Sequence, residues 1–266
     1  MKKKYTTYIQ ILLCILVMRV GHAQKTIQPK GPEYEYKGIV YNSERVYQLV
    51  AHTNGLTAAI DFGKLRTYYK TRFYHFSVGY LTHPLEDREN KNSSFEGLGS
   101  SNPFKYGKQN YMYLLRGGVG VKRYKSEKAK RRGIAVGWSY QAGPAVAILR
   151  PVRNIYLVDL NETGIKSPVE LSYDEDPETF MDYDALFGRS SSLDSWAQLG
   201  LRPGIQAKCA VHFSMGAFDE YVRALEVGIM ADYFGFKIPV IVENEFHSND
   251  ALFLNLFVAV QFGSRK

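Results

Sequence analysis

The stretch 251–263 alternates strictly. Leu252, Leu254, Leu256, Val258, Val260 and Phe262 share one face; Phe253, Asn255, Phe257, Ala259, Gln261 and Gly263 share the other. A period of two is the signature of a strand. The same alternation recurs along the chain. On 56–62, Leu56, Ala58, Ile60 and Phe62 oppose Thr57, Ala59 and Asp61. On 72–82, Tyr74, Phe76, Val78 and Tyr80 oppose Phe73, His75, Ser77 and Gly79. On 111–122, Tyr113, Leu115, Val119 and Val121 oppose Arg116, Gly118, Gly120 and Lys122. On 133–148, Ile134, Val136, Trp138, Tyr140 and Ala142 oppose Ala135, Gly137, Ser139, Gln141 and Gly143. Strands over 46–52, 203–217 and 221–233 complete the set. In 203–217, Gln206, Lys208, Ala210, His212 and Ser214 share a face, and in 221–233 Ala224, Glu226, Gly228, Met230 and Asp232 do.

The connections sort by length. Thr53-Asn54-Gly55 is a tight hairpin signal between two β-like runs. The connections 64–71, 123–132 and 217–220 are short, whereas 83–109, 149–201 and 234–249 are long. Start the chain on one side, and these three short connections fall there, while the long ones fall on the other together with the tight Asn-Gly turn. That asymmetry suits an up-and-down membrane barrel with short periplasmic turns and long outer loops. The expected fold is therefore all-β, a transmembrane antiparallel barrel of about eight strands. A ten-stranded count follows if the largest loop hides a hairpin, near 155–160 and 169–173. The rival is a secreted, soluble, lipocalin-like barrel, which buries apolar residues and exposes polar ones. Here the uncharged face is continuous over several strands, and the charges fall among glycines on the other. That distribution favours lipid outside.

Lys2-Lys3-Lys4, an apolar run over 9–17, and Gly21-His22-Ala23 before Gln24 describe a secretory leader, with cleavage expected after Ala23. Cys14 sits inside the apolar run behind Leu13, which is not the small residue a lipoprotein signal places there. The chain then divides into the leader 1–23, a polar periplasmic segment 24–44 and the barrel 45–266. Of the net charge of +8, Lys2, Lys3, Lys4 and Arg19 belong to the leader, so the working protein is less basic than its composition suggests. No nucleic-acid-reading motif accompanies the remaining charge. Beyond the leader Cys209 stands alone, so the processed chain forms no internal disulfide. The 20 tyrosines suit aromatic girdles at the two edges of a barrel.

Asp61, Arg116, Lys122, Lys208, Glu226 and Asp232 fall on inward positions. An eight-stranded barrel is filled by its own side chains, and a buried charge is costly unless paired. The expectation is a polar network across the lumen. The connection 123–132 is strongly basic, with Lys125, Lys128, Lys130, Arg131 and Arg132 and one acid, Glu127; in the periplasm it would meet anionic head groups or an acidic partner. His75 with Ser77, and His212 with Ser214, are inward i, i+2 pairs that an enzyme could use, but no acid is placed beside them by spacing. The acidic run Asp174 to Asp184 departs from an EF-hand loop and reads as a solvated loop. No cofactor or metal site is expected.

The alternating aromatic-rich strands, the leader, and the ending Leu-Phe-Leu-Asn-Leu-Phe-Val-Ala-Val-Gln-Phe-Gly-Ser-Arg-Lys together resemble small outer-membrane β-barrel proteins of Bacteroidota-type bacteria. Classical barrels finish on an aromatic; here Phe262 is followed by Gly263-Ser264-Arg265-Lys266. The resemblance implies localisation in the outer membrane, contact with its lipids and insertion by the barrel-assembly machinery. Members of such groups often serve as accessory subunits of envelope complexes, in secretion or outer-membrane protein assembly. With a filled lumen, a long N-terminal tail, a basic periplasmic turn and large outer loops, the expectation is a non-enzymatic subunit of that kind, with protein partners in the outer membrane or periplasm. A small passive pore is the alternative, and a lipid-modifying enzyme a more distant one.

Overall fold

The computed structural model describes residues 41–266 apart from 68, 85, 92, 96–98, 126–132, 160–165, 192, 216–218 and 244–247. The leader therefore lies outside the described residues, as do residues 24–40 and Lys128, Lys130, Arg131 and Arg132.

Eight antiparallel strands close into a barrel. They are β1 (Ser43–His52), β2 (Gly55–Thr67), β3 (Lys70–Leu81), β6 (Asn110–Tyr124), β7 (Ala135–Pro151), β11 (Gly200–Ser214), β12 (Tyr221–Tyr233) and β13 (Leu252–Arg265). Round the barrel the order is β1-β13-β12-β11-β7-β6-β3-β2. Each strand pairs with its chain neighbours, and β13 closes on β1 with Glu44 opposite Arg265 and His52 opposite Phe257. Gly55 carries the turn between β1 and β2. Its φ of 147° lies where a side chain is strained, and a Cβ there would strike the Tyr80 carbonyl.

The alternation decides the sidedness. Leu254 is 64% exposed on the outer wall and Val119 60%, while Asn255 and Gln261 are fully buried within. Tyr74, Phe76, Val78, Leu49 and Leu256 extend the apolar wall. Soluble monomers rarely expose an apolar surface of this extent. An apolar outside with a polar inside is the inverse of a soluble barrel, and it is the arrangement of a membrane-spanning one. Glycines on the inner face make room for larger neighbours. Gly120 faces the ring of Phe73, and Gly118 faces the Gln206 amide. Packing at those positions comes from side chains of nearby strands, Phe73 on the paired strand β3 and Gln206 on β11, so the wall tolerates the weak β-propensity of glycine.

Strands run further than the alternation alone indicated. β1 starts at Ser43, so Glu44 belongs to the barrel and not to the preceding segment. β13 runs on to Arg265, and the Asn42 and Ser43 N–H groups donate to the Lys266 carbonyl at 2.8 and 2.7 Å. The residues after Phe262 therefore lengthen the closing seam.

The largest loop does hold a hairpin, but not in the barrel wall. β8 (Arg153–Val158) and β9 (Ser167–Ser172) pair with each other and with β10 (Leu186–Arg189) in a separate three-stranded sheet. The barrel stays at eight strands. The acidic run is likewise folded rather than freely solvated. It forms the one-turn helix α1 (Pro177–Phe180), whose Thr179 N–H donates to the Asp176 carboxylate at 3.1 Å. Phe180 is buried against Phe104, Tyr156 and Leu186, with Val242 packed alongside. Those residues come from all three long loops, so the loops make one layer over the end of the barrel. A short hairpin, β4 (Ser94–Phe95) with β5 (Gly99–Ser100), belongs to the first of them.

Candidate functional site

The interior begins at the loop end with an apolar stopper. Phe234, Ile238, Val240 and Ile241, from the segment after β12, pack on Leu81, Met112, Leu114, Leu149 and Phe253 from the strands. Backbone bonds hold that segment in place: the Gln109 and Asn110 N–H groups donate to the Val240 carbonyl at 2.9 and 3.1 Å. The Asn249 side chain accepts from the Val240 and Ile241 N–H groups and donates to the Ile241 carbonyl at 2.8 Å. One amide thereby satisfies a buried turn that would otherwise carry unpaired polar groups.

Below the stopper the lumen is ionic. Arg116 grips Asp232 with two bonds, Nε to Oδ1 at 2.7 Å and Nη2 to Oδ2 at 2.8 Å, and its Nη1 donates to the Thr57 hydroxyl at 3.3 Å. This fork geometry is the strong form of a charge-assisted bond. Lys208 donates to Glu226 at 3.1 Å and reaches Gln48 at 3.5 Å. Glu226 also accepts from Gln261 at 2.6 Å and from the Ser139 hydroxyl. Asp61 accepts from the Gln48 amide, and the His75 Nδ1 lies 2.6 Å from its other oxygen. Nearest the short-turn end, Glu44 accepts from Lys122 at 3.3 Å and from Arg265 at 3.2 Å. Arg265 also donates to the Asp219 carbonyl at 2.8 Å, which ties the last strand to the β11–β12 connection.

The structure thus places Asp61, Arg116, Lys122, Lys208, Glu226 and Asp232 all in the interior, none more than 6% exposed. They form linked groups rather than one ring. Lys122 pairs with Glu44, which precedes the first apolar alternation at Val46, and not with Asp61, Glu226 or Asp232. Gln48, Gln261, Ser139 and Arg265 join the network as uncharged or strand-end members that charge among small residues does not mark. Carrying the period two residues beyond each assumed strand end would have found Glu44 and Arg265.

Of the basic connection, Lys125 is exposed and its N–H donates to the Val136 carbonyl at 2.8 Å. His75 and Ser77 are both buried on the inner face, with Asp61 on the next strand as the partner of His75. His212 is fully buried beside Tyr124, Nε2 to hydroxyl at 3.4 Å, with the rings edge to face. Among the described residues no group of His, Cys, Asp and Glu is arranged to hold a metal ion.

The loop layer contains its own buried charge cluster, which the sequence did not reveal. Lys108 is fully buried, with its Nζ 2.6 Å from Glu86 and 4.6 Å from the centre of the Tyr111 ring. Lys105 takes the other Glu86 oxygen at 2.5 Å, and the His83 N–H donates to Glu86 at 2.8 Å. Burial pushes the Lys108 ammonium down to about 8, against the pull of Glu86. Burial works to raise Glu86, but the His83 N–H, Lys105 and Lys108 outweigh it and hold the carboxyl below its ordinary value. The signs are opposite. The Glu86 contribution is complete above the ordinary carboxylate range and is lost as pH falls through its depressed pKa. Lys108 binds its proton less tightly in the fold than in the unfolded chain, so its contribution to stability rises between about pH 8 and the ordinary 10.5. A ¹³C-lysine NMR titration should show one resonance with a midpoint near pH 8 that disappears in Lys108→Met. A full set of lysines titrating above pH 10 would contradict the burial.

No known protein-family profile and no curated protein matches the sequence. Among solved structures, the crystal structure of Neisserial surface protein A is similar at 9% identity, over 84% of this chain and 93% of that one, with a TM-score of 0.32. A likeness at that level assigns no role.

Proposed function

We propose that this chain is a non-enzymatic outer-membrane barrel that serves as an accessory subunit of an envelope complex, in secretion or outer-membrane protein assembly. On this reading the leader 1–23 sends it to the periplasm, the barrel-assembly machinery inserts it, and the short turns face the periplasm while the loop layer faces outward. One observation carries the reading: the lumen is occupied along its length, by ion pairs below and by the apolar stopper above, while the three long loops form one folded layer. A barrel filled in this way offers its surfaces to partners rather than a path to solutes. The same filling argues against the passive pore. His75, Ser77 and His212 face the packed interior, which supports a structural part for them rather than a lipid-modifying one.

Mild-detergent purification of the tagged protein from its own membranes, followed by mass spectrometry, tests the proposal. A stoichiometric set of envelope proteins is expected. Recovery of a lone barrel would overturn the subunit reading.

A further inference from the structure

The outer wall near the short-turn end carries cations in an arrangement that needs an anion. In the β2–β3 register Lys64 stands directly opposite Arg72. In the β3–β6 register Lys70 stands directly opposite Arg123. Their sequence parity turns all four away from the lumen, and Arg66 and Arg45 flank them, exposed on the same rim. Like charges directly opposite one another on a sheet are destabilising. No acid relieves them on these strands: Glu44 and Asp61 point inward to partners of their own. Asp219 and Glu220 lie on the β11–β12 connection, across the barrel from β2 and β3.

Directly above these cations the wall is hollow. A groove of about 770 Å³ is lined by Lys64, Arg66 and Arg72, by Phe62 and Tyr74 two residues further along β2 and β3, and by Tyr140, in register with Arg72 through Val121. Val119 and Ala142, opposite each other on β6 and β7, keep its floor low. Cations below and an apolar trough above match one molecular shape, a phosphate head with an acyl chain.

We propose that this face of the barrel is a seat for an anionic glycerophospholipid of the inner leaflet. Its phosphate bridges Lys64 and Arg72, and its acyl chain lies along Phe62, Tyr74 and Val119. The seat rests on the membrane reading given above, and it fixes which part of the bilayer the protein selects. The bridging anion removes the like-charge cost, so binding is coupled to the stability of the β2–β3–β6 wall.

The test uses the processed protein in a neutral detergent, with thermal unfolding followed as lipid is added. Phosphatidylglycerol should raise the melting temperature at a concentration at least tenfold below that needed for phosphatidylcholine of the same chains. The variant Lys64→Gln with Arg72→Gln should lose most of that preference, a factor of about five for each cation removed. Without lipid it should melt no lower than the parent, because the repulsion has gone with the charges. Equal responses to the two lipids, or an unchanged preference in the variant, would overturn the proposal. An equal response to inorganic phosphate would overturn the lipid as occupant. A protein that fails to enter vesicles at all would instead overturn the membrane reading.

Discussion

Arg116→Ala is expected to destabilise the barrel by about 3–5 kcal/mol, the usual cost of leaving one member of a buried ion pair alone. Asp232 is fully buried, and the Arg116 fork supplies both of its bonds at 2.7 and 2.8 Å. Without it the fully buried carboxylate loses both of the bonds that Arg116 donates. The double variant Arg116→Leu with Asp232→Leu removes the charge as well as the partner. It should lie close to the parent or above it, since apolar side chains of similar volume often replace buried pairs without loss. Urea unfolding in lipid vesicles, followed by tryptophan fluorescence, reads both. A single-variant loss below about 1 kcal/mol would mean that the interior is wet enough to solvate Asp232.

Glu44→Ala should cost as much or more, and at a different place. Glu44 is the carboxylate shared by Lys122 and Arg265, and Arg265 stands opposite it across the seam where β13 closes on β1. Removing it strands two buried cations within reach of each other, so repulsion adds to lost pairing. Arg265→Ala removes one donor and leaves Glu44 held by Lys122, so its loss should be clearly smaller. The expected order of stability is parent, Arg265→Ala, then Glu44→Ala. Equal losses for the two variants would show that Lys122 is not held by Glu44. Because the cost falls on the closing seam, the Glu44→Ala barrel should also be nicked sooner by protease near Asn42.

These two sites show what the sequence could and could not convey. Sidedness was legible because one parity rule governs each strand: Asp232, Glu226 and Lys208 announce themselves as charges among small residues on a face whose opposite is apolar. Strand ends were not. Ser43 and Glu44 precede an apolar start at Val46, and Gly263-Ser264-Arg265 follow an aromatic that reads as an end, so no hydrophobicity marks them as wall. Their inclusion depends on pairing across the seam, a contact between residues at opposite ends of the chain. The loop layer was hidden for a related reason. Phe104, Tyr156, Phe180 and Leu186 come from separate segments with no common period, and they become a core only when the barrel brings the loops together. The apolar stopper is similar: Ile238, Val240 and Ile241 follow a Gly235 turn within a long connection that reads as an outer loop, although they fill the mouth of the barrel. Burial of Lys108 is the least legible feature, since a lysine in a charged, proline-containing loop is ordinarily solvent-exposed.

Cys209 is placed to show whether the apolar face of the barrel lies in lipid. It is exposed on the outer wall of β11 with Val211 and Ile205 on the same face, and it is a free thiol. A nitroxide attached there, in a Cys14→Ser background reconstituted into vesicles, can be relaxed by oxygen, which partitions into lipid, or by a nickel chelate, which stays in water. Strong broadening by oxygen and little by nickel are expected. Dominant broadening by nickel would place Cys209 in water and contradict a membrane-spanning barrel.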